Sequence, residues 1–465
     1  MKSRDSILAR WAETLAREEN RAAIFDSSGD VLRTYADIER EAGFWADKLG
    51  QLTSGTVVAI QVGNQPSWPA LFLAALRSDL TTLPLEASIT ESERSVALEL
   101  CRAGALLTVD DNHAVQLIKR EGDPLSPLTK AGRPVLLKLT SGTTAFPRAV
   151  RFQSDQLLAD CDQICETMGL RSDDLNYAVI PVSHSYGFSN VITPLLARGV
   201  SMVVSRDRLP RAILDGLSRT RATVFPGMPV FYQAFCSVEQ TPPLPDLRLC
   251  ISAGAPLPGS LARAFREKFG QAIHSFYGSS ECGGICYDQR GETDEDGFVG
   301  SAMAGVELEI LEVGAQASQV RVRSAAVADG YFPDSDEAKL GRGMFIPDDL
   351  LALHGSGFKI AGRISDLINV AGKKVNPAEI EAYLLSLPGV REAVVFGRQS
   401  TLRNEEVAAC VVTDLSVGEA ELLQLCRMRL SGWQVPKRIF LVPEIPVNAR
   451  GKTSRRELAA RFGKS

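Results

Sequence analysis

The stretch LTSGTTAFPRAV, residues 139–150, follows the apolar run PVLL and gathers hydroxyl side chains around one glycine before a Phe-Pro-Arg. An apolar strand, PVLLKLT, that runs into Ser-Gly-Thr-Thr offers clustered hydroxyls and backbone N–H groups, the donors an anionic oxygen requires. Taken alone, the same composition also suits a plain turn. The stretch departs from the common nucleotide pattern. There is no G-x-x-x-x-G-K-[ST] run, and the later Gly451-Lys452-Thr453 lacks the first glycine because Pro446 stands there.

Outward from this strand, the chain alternates helix and strand. Thr34-Tyr-Ala-Asp37 reads as a capping-box-like helix start, TVVAIQV (56–62) as a buried strand, and PSWPALFLAALRS as a helix. A second alternation runs from 150 to 290, with YAVIPV, SMVVS and ATVFPG as apolar strands. Repeated units of this kind predict parallel sheets covered by helices. Between 298 and 360 the texture changes to short β-rich segments (VELEIL, VRVRS, LLALHG, FKIAG) broken by glycine and acidic loops, which predicts a small barrel or meander. After GRISD, the segments PAEIEAYLLSL, REAVVFG, EEVAACVVTD, GEAELLQLCRMRL and RIFLV read as a further unit of helices and strands. The acidic runs at 292–296 and 334–337 read as solvated loops.

A chain of 465 residues exceeds what one hydrophobic core usually holds, so at least two domains are expected. With 51 basic against 56 acidic side chains, the formal charge of -5 gives no electrostatic reason to expect nucleic acid or an anionic membrane as the main partner. The N-terminal MKSRDSILARWAETLAREENR spaces Ile7, Leu8, Trp11 and Leu15 as a packed surface helix and lacks the unbroken apolar core of a signal peptide. The most apolar window elsewhere, WPALFLAAL (68–76), is far short of the ~20 residues that span a bilayer. Nine dispersed cysteines include two close pairs, Cys161 with Cys165 and Cys282 with Cys286, neither at C-x-x-C spacing. With only four histidines, reduced core thiols and a cytoplasmic location are expected rather than a metal site.

The company kept by the opening stretch gives it a meaning. Thr140-Ser141-Gly142-Thr143-Thr144 with Pro147 resembles the phosphate loop T-S-G-T-T-G-x-P-K-G of the adenylate-forming superfamily: acyl- and aryl-CoA synthetases, luciferases and peptide-synthetase adenylation domains. Further segments resemble that family in the right order, from about Thr34 to Leu458. PVSHSYGF (181–188) is similar to P-x-x-H-x-x-G and places His184 and Gly187. SAGAPL (252–257) is similar to S-G-G-A-P-L, and YGSSE (277–281) to Y-G-x-T-E with Ser280 for threonine. GMFIPDDLLAL (343–353) resembles G-W-[FY]-x-T-G-D, with Pro347 and Asp348 for the usual Thr-Gly. IPVNARGKTSRREL (445–458) resembles P-x-x-x-x-G-K-x-x-R-x-x-L.

The resemblance implies an α/β protein of two domains. Residues 1–362 would form two helix-covered, mostly parallel sheets plus a small distorted β-barrel, holding the ATP and carboxylate sites. Residues 363–465 would form a small mobile α+β domain carrying the catalytic lysine, hinged near 363–366. It further implies that Thr140 to Thr144 and Arg148 bind phosphates, with Thr143 acting in catalysis, and that His184 borders the substrate carboxylate and the phosphates. Ser252, Ala253, Gly254 and Ala255 form a backbone ribbon along the acyl and adenine pockets. Small residues there let a flat ring approach the chain closely. Tyr277 stacks on adenine beside Gly278 and Ser279, Ser280 bonds a phosphate oxygen, and Glu281 holds Mg²⁺ as a hard oxygen ligand. Asp349 receives the ribose hydroxyls, Arg363 contacts the ribose and helps orient the C-terminal domain, and Ser365 occupies a hinge position where relatives carry Asp or Lys. Phe188, Pro226, Gly227, Ala253 and Gly254, with His184, would line the substrate pocket.

The implied reaction follows from carboxylate chemistry. A carboxylate is a poor acylating agent, because its leaving group would be oxide; attack on the α-phosphorus of ATP makes an acyl adenylate and releases pyrophosphate. Lys452, a single flexible cation, suits the bridge between attacking carboxylate and α-phosphate. A thiol then attacks the adenylate, after the C-terminal domain has rotated. PVSHSYGF differs from the F-D-x-S segment of amino-acid-activating relatives, so an amino acid is disfavoured. No carrier-protein domain with a G-G-x-S site is seen, so free CoA is the expected acceptor, with the prosthetic thiol of a separate carrier protein as the alternative. A noncatalytic nucleotide or acyl-adenylate sensor is the reading from another class. Retention of Glu281, Asp349, Arg363 and Lys452 favours catalysis over it.

Within the opening stretch, Ala145 and Ala149 replace family glycines, and Arg148 replaces a lysine with a fork that can pair bidentately. Alanine stiffens a loop wherever the position does not need positive φ. Ala145→Gly is therefore expected to change the KM for ATP more than the choice of acceptor, in steady-state assays with ATP and acceptor varied in turn.

Overall fold

A computed structural model describes residues 5–120, 133–140, 148–291, 294–370, 373–400, 404–414, 417–446 and 453–462. The chain separates into two compact units. One comprises residues 1–311, 320–347 and 353–359, the other 312–319, 348–352 and 360–465.

The first unit is built on two large sheets. Val57–Gln61, fully buried, pairs in parallel with Thr81–Pro84 and Ala103–Val109, and Thr81–Pro84 continues to Leu136–Thr140. A strand buried on both faces has no polar face to present, which is why Val57–Gln61 opens on the unbroken run VVAI rather than an alternating pattern. Antiparallel Arg148–Phe152 and Gly330–Phe332 extend one side of the sheet, and Val115–Lys119 closes the other. The helix Tyr35–Leu49 starts where expected, with Thr34 and Asp37 completing a capping box, and the helix Trp68–Arg77, apolar up to its last residue, is buried along almost its whole length.

In the second large sheet, Ala22–Phe25, Ser201–Val204, Leu175–Ala178, Val224–Gly227, Leu249–Ser252 and Ile273–Ser279 run parallel in that spatial order. YAVIPV was expected as strand throughout, but the strand ends at Ala178, and Val179–Val182 turns toward the site instead. Past Ile273–Ser279 the sheet becomes antiparallel through Gly283–Tyr287, Phe298–Ala302 and Gly357–Arg363. The β-rich stretch also supplies a separate four-stranded antiparallel sheet of Val306–Ile310, Val320–Ser324, Met344–Phe345 and Leu340–Gly341. The hairpin of Asp349–His354 with Gly357–Arg363 carries the chain from the first unit to the second.

In the second unit, Val390–Ser400 and Asn404–Thr413 form a long antiparallel pair, joined by Ile368–Val370 and by the parallel strand Arg438–Leu441. Helices Pro377–Leu385 and Glu419–Arg429 bury Ile380, Leu384, Leu422 and Cys426 against it. All nine cysteines are unpaired thiols, and all but Cys236 are buried. Among the described residues, no helix is long and apolar enough to cross a membrane.

One aromatic cluster sits beside Lys138 on the strand Leu136–Thr140. Phe188 meets Trp68 and Phe72 edge-on, with ring centroids 5.8 and 5.3 Å apart. The Lys138 ammonium, on the strand leading into residues 141–147, lies 5.4 Å from the Phe188 centroid and 4.6 Å from that of Phe152. Phe188→Ala is expected to cost about 3–5 kcal/mol through the lost burial and the cavity left behind. The measurement is an earlier thermal or urea unfolding transition.

Candidate active site

Four neighbouring parallel strands, Leu175–Ala178, Val224–Gly227, Leu249–Ser252 and Ile273–Ser279, release the chain at the same edge, where open α/β sheets bind ligands. From these ends come His184, Gly227, the run Ala253 to Ala255, and Ser280 with Glu281. Side-chain and backbone bonds hold the emerging loops to one another. Ser185 Oγ donates to Ser280 Oγ at 2.9 Å, and the Ala253 N–H donates to the Gly227 carbonyl at 3.2 Å.

His184 is exposed and caps the short helix Ser185–Gly187. Its Nδ1 accepts the Tyr186 N–H at 3.3 Å, which puts the proton of the neutral ring on Nε2. Gly187 lies against the Pro181 carbonyl so tightly that a Cβ there would collide with it, which accounts for glycine three residues after the histidine. Gly254 has φ +83°, a left-handed conformation that favours glycine within the small-residue ribbon. Ala253 is buried while Gly254 and Ala255 are exposed, and Ser252 is buried at the strand end. Pro226 and Gly227 are buried, and Gly227 leaves room for the Phe225 and Tyr232 rings. Phe188 faces the aromatic cluster described above. Tyr277 is 7% exposed in its strand, whereas Gly278 beside it is open.

The hydroxyl-rich segment is pinned at both ends. Thr140 and Arg148 are paired across antiparallel strands, and Thr140 Oγ1 donates to the Arg148 carbonyl at 3.2 Å. Ser141, Gly142, Thr143 and Thr144, with Ala145 and Pro147, lie outside the described residues, as does Lys452. Ala149 is a fully buried strand residue between Leu139 and Phe332 and has no positive φ, so glycine is not needed there.

Two residues that the sequence did not single out bring the two sheets together. Asn64 donates to the carbonyls of Ala178 and Ile180 at 3.2 and 3.0 Å and accepts the Val182 N–H at 3.0 Å, holding the segment that leads to His184. Tyr331, on the strand beside Arg148–Phe152, donates its phenol to Glu281 Oε1 at 3.3 Å, while the Arg148 guanidinium lies 5.4 Å from its ring centroid. Ser279 Oγ donates to the other oxygen, Oε2. Glu281 is thus held by neutral hydroxyls that leave its charge in place, a donor set that fits a hard divalent cation. Neither Asn64 nor Tyr331 belongs to a recognisable pattern; only their partners reveal them.

Below this group, burial pushes the Lys138 ammonium under its usual range, and Asp160, Cys282 and Glu281 oppose that shift. In the second unit, Arg363 Nε donates to Asp349 Oδ1 at 2.6 Å, and Ser365 lies in the 3₁₀ turn Ile364–Asp366 that follows.

Known proteins resemble the chain along its whole length. Residues 11–332 match the family described as AMP-binding enzyme, and residues 379–452 match the AMP-binding enzyme C-terminal domain. A feruloyl-CoA synthase of Amycolatopsis sp is 27% identical over 99% of this chain and 100% of its own. A 2-succinylbenzoate–CoA ligase of Bacillus pumilus is 27% identical, covering 92% of this chain and 93% of that one. Among solved structures, ATP-bound MatB from Rhodopseudomonas palustris superimposes with a TM-score of 0.86 at 25% identity, covering 98% of each chain.

Tyr331→Phe removes one hydroxyl from Glu281 and leaves the ring under Arg148 in place. It is expected to raise the divalent-cation concentration needed for half-maximal binding of ATP several-fold while leaving the melting temperature nearly unchanged. Titration of ATP binding with Mn²⁺ in the absence of any carboxylic acid checks this.

Proposed function

Because the chain belongs to the AMP-binding enzyme family, we propose that it is an AMP-forming acid–CoA ligase, which joins an acyl or aryl carboxylic acid to AMP, releases pyrophosphate and passes the acyl group to CoA. The observation that carries this reading is the junction of the two large sheets: Tyr331, beside Arg148, bonds the Glu281 carboxylate, and Ser280 next to Glu281 is bonded to the His184 segment.

In this reading the N–H groups and hydroxyls of residues 140–144 receive the β- and γ-phosphates, and Arg148 adds charge at the exit of the loop. Tyr277, Gly278 and Ser279 accommodate the adenosine along the ribbon of Ser252 to Ala255, and Ser280 bonds a phosphate oxygen. Glu281 would hold Mg²⁺, whose charge offsets that of the departing pyrophosphate. His184 borders the acid's carboxylate at the mouth of a pocket reached past Pro226, Gly227 and Ala253. Asp349 and Arg363 receive the ribose, their ion pair being available to exchange for ribose hydroxyls. Lys452 bridges carboxylate and α-phosphate in the first half-reaction. Little acid–base chemistry is required, so positioning and electrostatics supply most of the rate enhancement. Residues 363–465 then turn about the segment 363–366, withdrawing Lys452 and admitting the thiol of CoA.

Carboxylate-dependent pyrophosphate exchange across aryl, short, medium and long acyl, and amino acids tests the reading. Exchange with at least one acyl or aryl acid supports it, whereas ATP binding without exchange over the whole panel would count for a sensor. Acceptor choice is then read with CoA against a holo carrier protein. Lys452→Ala is expected to abolish most adenylate formation but to spare thioester formation from synthetic acyl-AMP, measured as two separate half-reactions.

A further inference from the structure

We propose that Arg455 is a positioning residue that locks the last helix, which begins three residues after Lys452, to the hinge turn, so that the two move as one piece. The inference rests on the ligase reading above for the roles of Lys452 and of residues 363–366.

Arg455 opens the helix Arg455–Phe462, three residues after Lys452. Its guanidinium bonds in three directions. Nη1 donates to Asp366 Oδ2 at 2.6 Å, Nη2 donates to Glu381 Oε1 and Oε2 at 2.8 and 2.9 Å, and Nε donates to the Val395 carbonyl at 2.9 Å. Glu381 Oε1 in turn accepts the Val395 N–H at 2.7 Å. One side chain therefore joins the turn Ile364–Asp366, the helix Pro377–Leu385, the strand Val390–Ser400 and the last helix. A lysine could not do this, because a single ammonium lacks the planar fork that reaches a carboxylate bidentately and a second partner at once.

The three charged side chains are sheltered, at 32% exposed for Arg455, 24% for Asp366 and 15% for Glu381, so their geometry is held more firmly than that of a surface ion pair. The flanks of residues 447–452 are also fixed. Ile445 and Leu458 belong to one apolar cluster with Phe396, Ala408, Cys410 and Val412. Asp366 directly follows Ser365, so a backbone rotation at residue 365 carries Asp366 with the second unit. The bond from Asp366 to Arg455 transmits that rotation to the helix Arg455–Phe462, which follows Lys452 in the chain. Stability of the second unit alone does not explain the Asp366 arm, since Glu381 and Val395 already anchor the guanidinium to the sheet and its covering helix.

The experiment uses the full chain and reads both half-reactions for Arg455→Met, Arg455→Lys and Asp366→Asn, alone and combined with Lys452→Ala, with melting temperatures. Arg455→Met is expected to lower pyrophosphate exchange by about tenfold to a hundredfold, the scale of a misplacement near an angstrom. Thioester formation from synthetic acyl-AMP should stay near the wild-type rate, and Arg455→Lys should not restore exchange. In the Lys452→Ala background, Arg455→Met should add no further loss, because it acts through that lysine. Equal loss in both half-reactions, or a loss that adds to that of Lys452→Ala, overturns the proposal. Asp366→Asn removes only the hinge arm and must show the same split; if Arg455→Met does not fold, this variant decides alone, and wild-type exchange in it overturns the proposal. Wild-type protein that exchanges no pyrophosphate over the acid panel overturns the ligase reading and this inference together. Wild-type exchange with an unaffected Arg455→Met overturns the inference only.

Discussion

Parallel pairing makes every strand of a set end at the same edge, and this constraint decides where the chemistry of the first unit can be. Leu175–Ala178, Val224–Gly227, Leu249–Ser252 and Ile273–Ser279 are neighbours in one sheet, so four loops far apart in sequence are delivered side by side. A loop so delivered has unpaired backbone groups and must find local partners. The close packing of Gly187 on the Pro181 carbonyl, the positive φ of Gly254 and the Ser185–Ser280 bond shape three of these loops.

The sheet of Val57–Gln61 and Gly330–Phe332 meets this edge through polar contacts. Asn64 uses both ends of its amide on the backbone between Ala178 and Val182, and Tyr331 reaches Glu281 with its phenol. Both contacts use neutral donors. A cation in the place of Tyr331 would neutralise Glu281, whereas a hydroxyl fixes the carboxylate and leaves its charge intact. Arg148 lies over the tyrosine ring, so its positive charge is kept close to the pinned hairpin without being spent on the carboxylate.

The sheets were legible in the sequence because their strands are buried on both faces and therefore read as unbroken apolar runs. Val57–Gln61, Ser201–Val204 and Val224–Gly227 fall where TVVAIQV, SMVVS and ATVFPG predicted them. YAVIPV was too long, because apolar composition also marks the turn that Asn64 holds, and no local pattern separates a buried strand from a buried turn. The β-rich stretch shared its strands between the large sheet and a small one, a division set by long-range pairing and invisible to periodicity. The candidate site was legible as segments through their resemblance, with glycines and hydroxyls at tell-tale spacing. Asn64 and Tyr331 were not, since a single polar residue acquires its role only from a distant partner, Ala178 lying 114 positions from Asn64 and Glu281 50 positions from Tyr331.

Lys138 shows how the interior beneath the site is balanced. Desolvation is the largest influence on its ammonium, and no carboxylate among the described residues pairs with it directly; the faces of Phe152 and Phe188 and the more distant charges of Asp160 and Glu281 oppose that cost. Asp160 is thereby left to accept the Gly284 N–H at 2.9 Å. That bond grips the hairpin just past Glu281, and it explains a second glycine as well. Gly283 has φ +70°, and a Cβ there would collide with the Asp160 carboxylate. Glu281 is accordingly fixed from two sides, by hydroxyls at its carboxylate and by Asp160 through the backbone behind it. A buried lysine that formed a direct ion pair with Asp160 would compete for the carboxylate oxygens and loosen that grip. Holding the lysine head between aromatic rings instead leaves Asp160 committed to the backbone that carries Glu281.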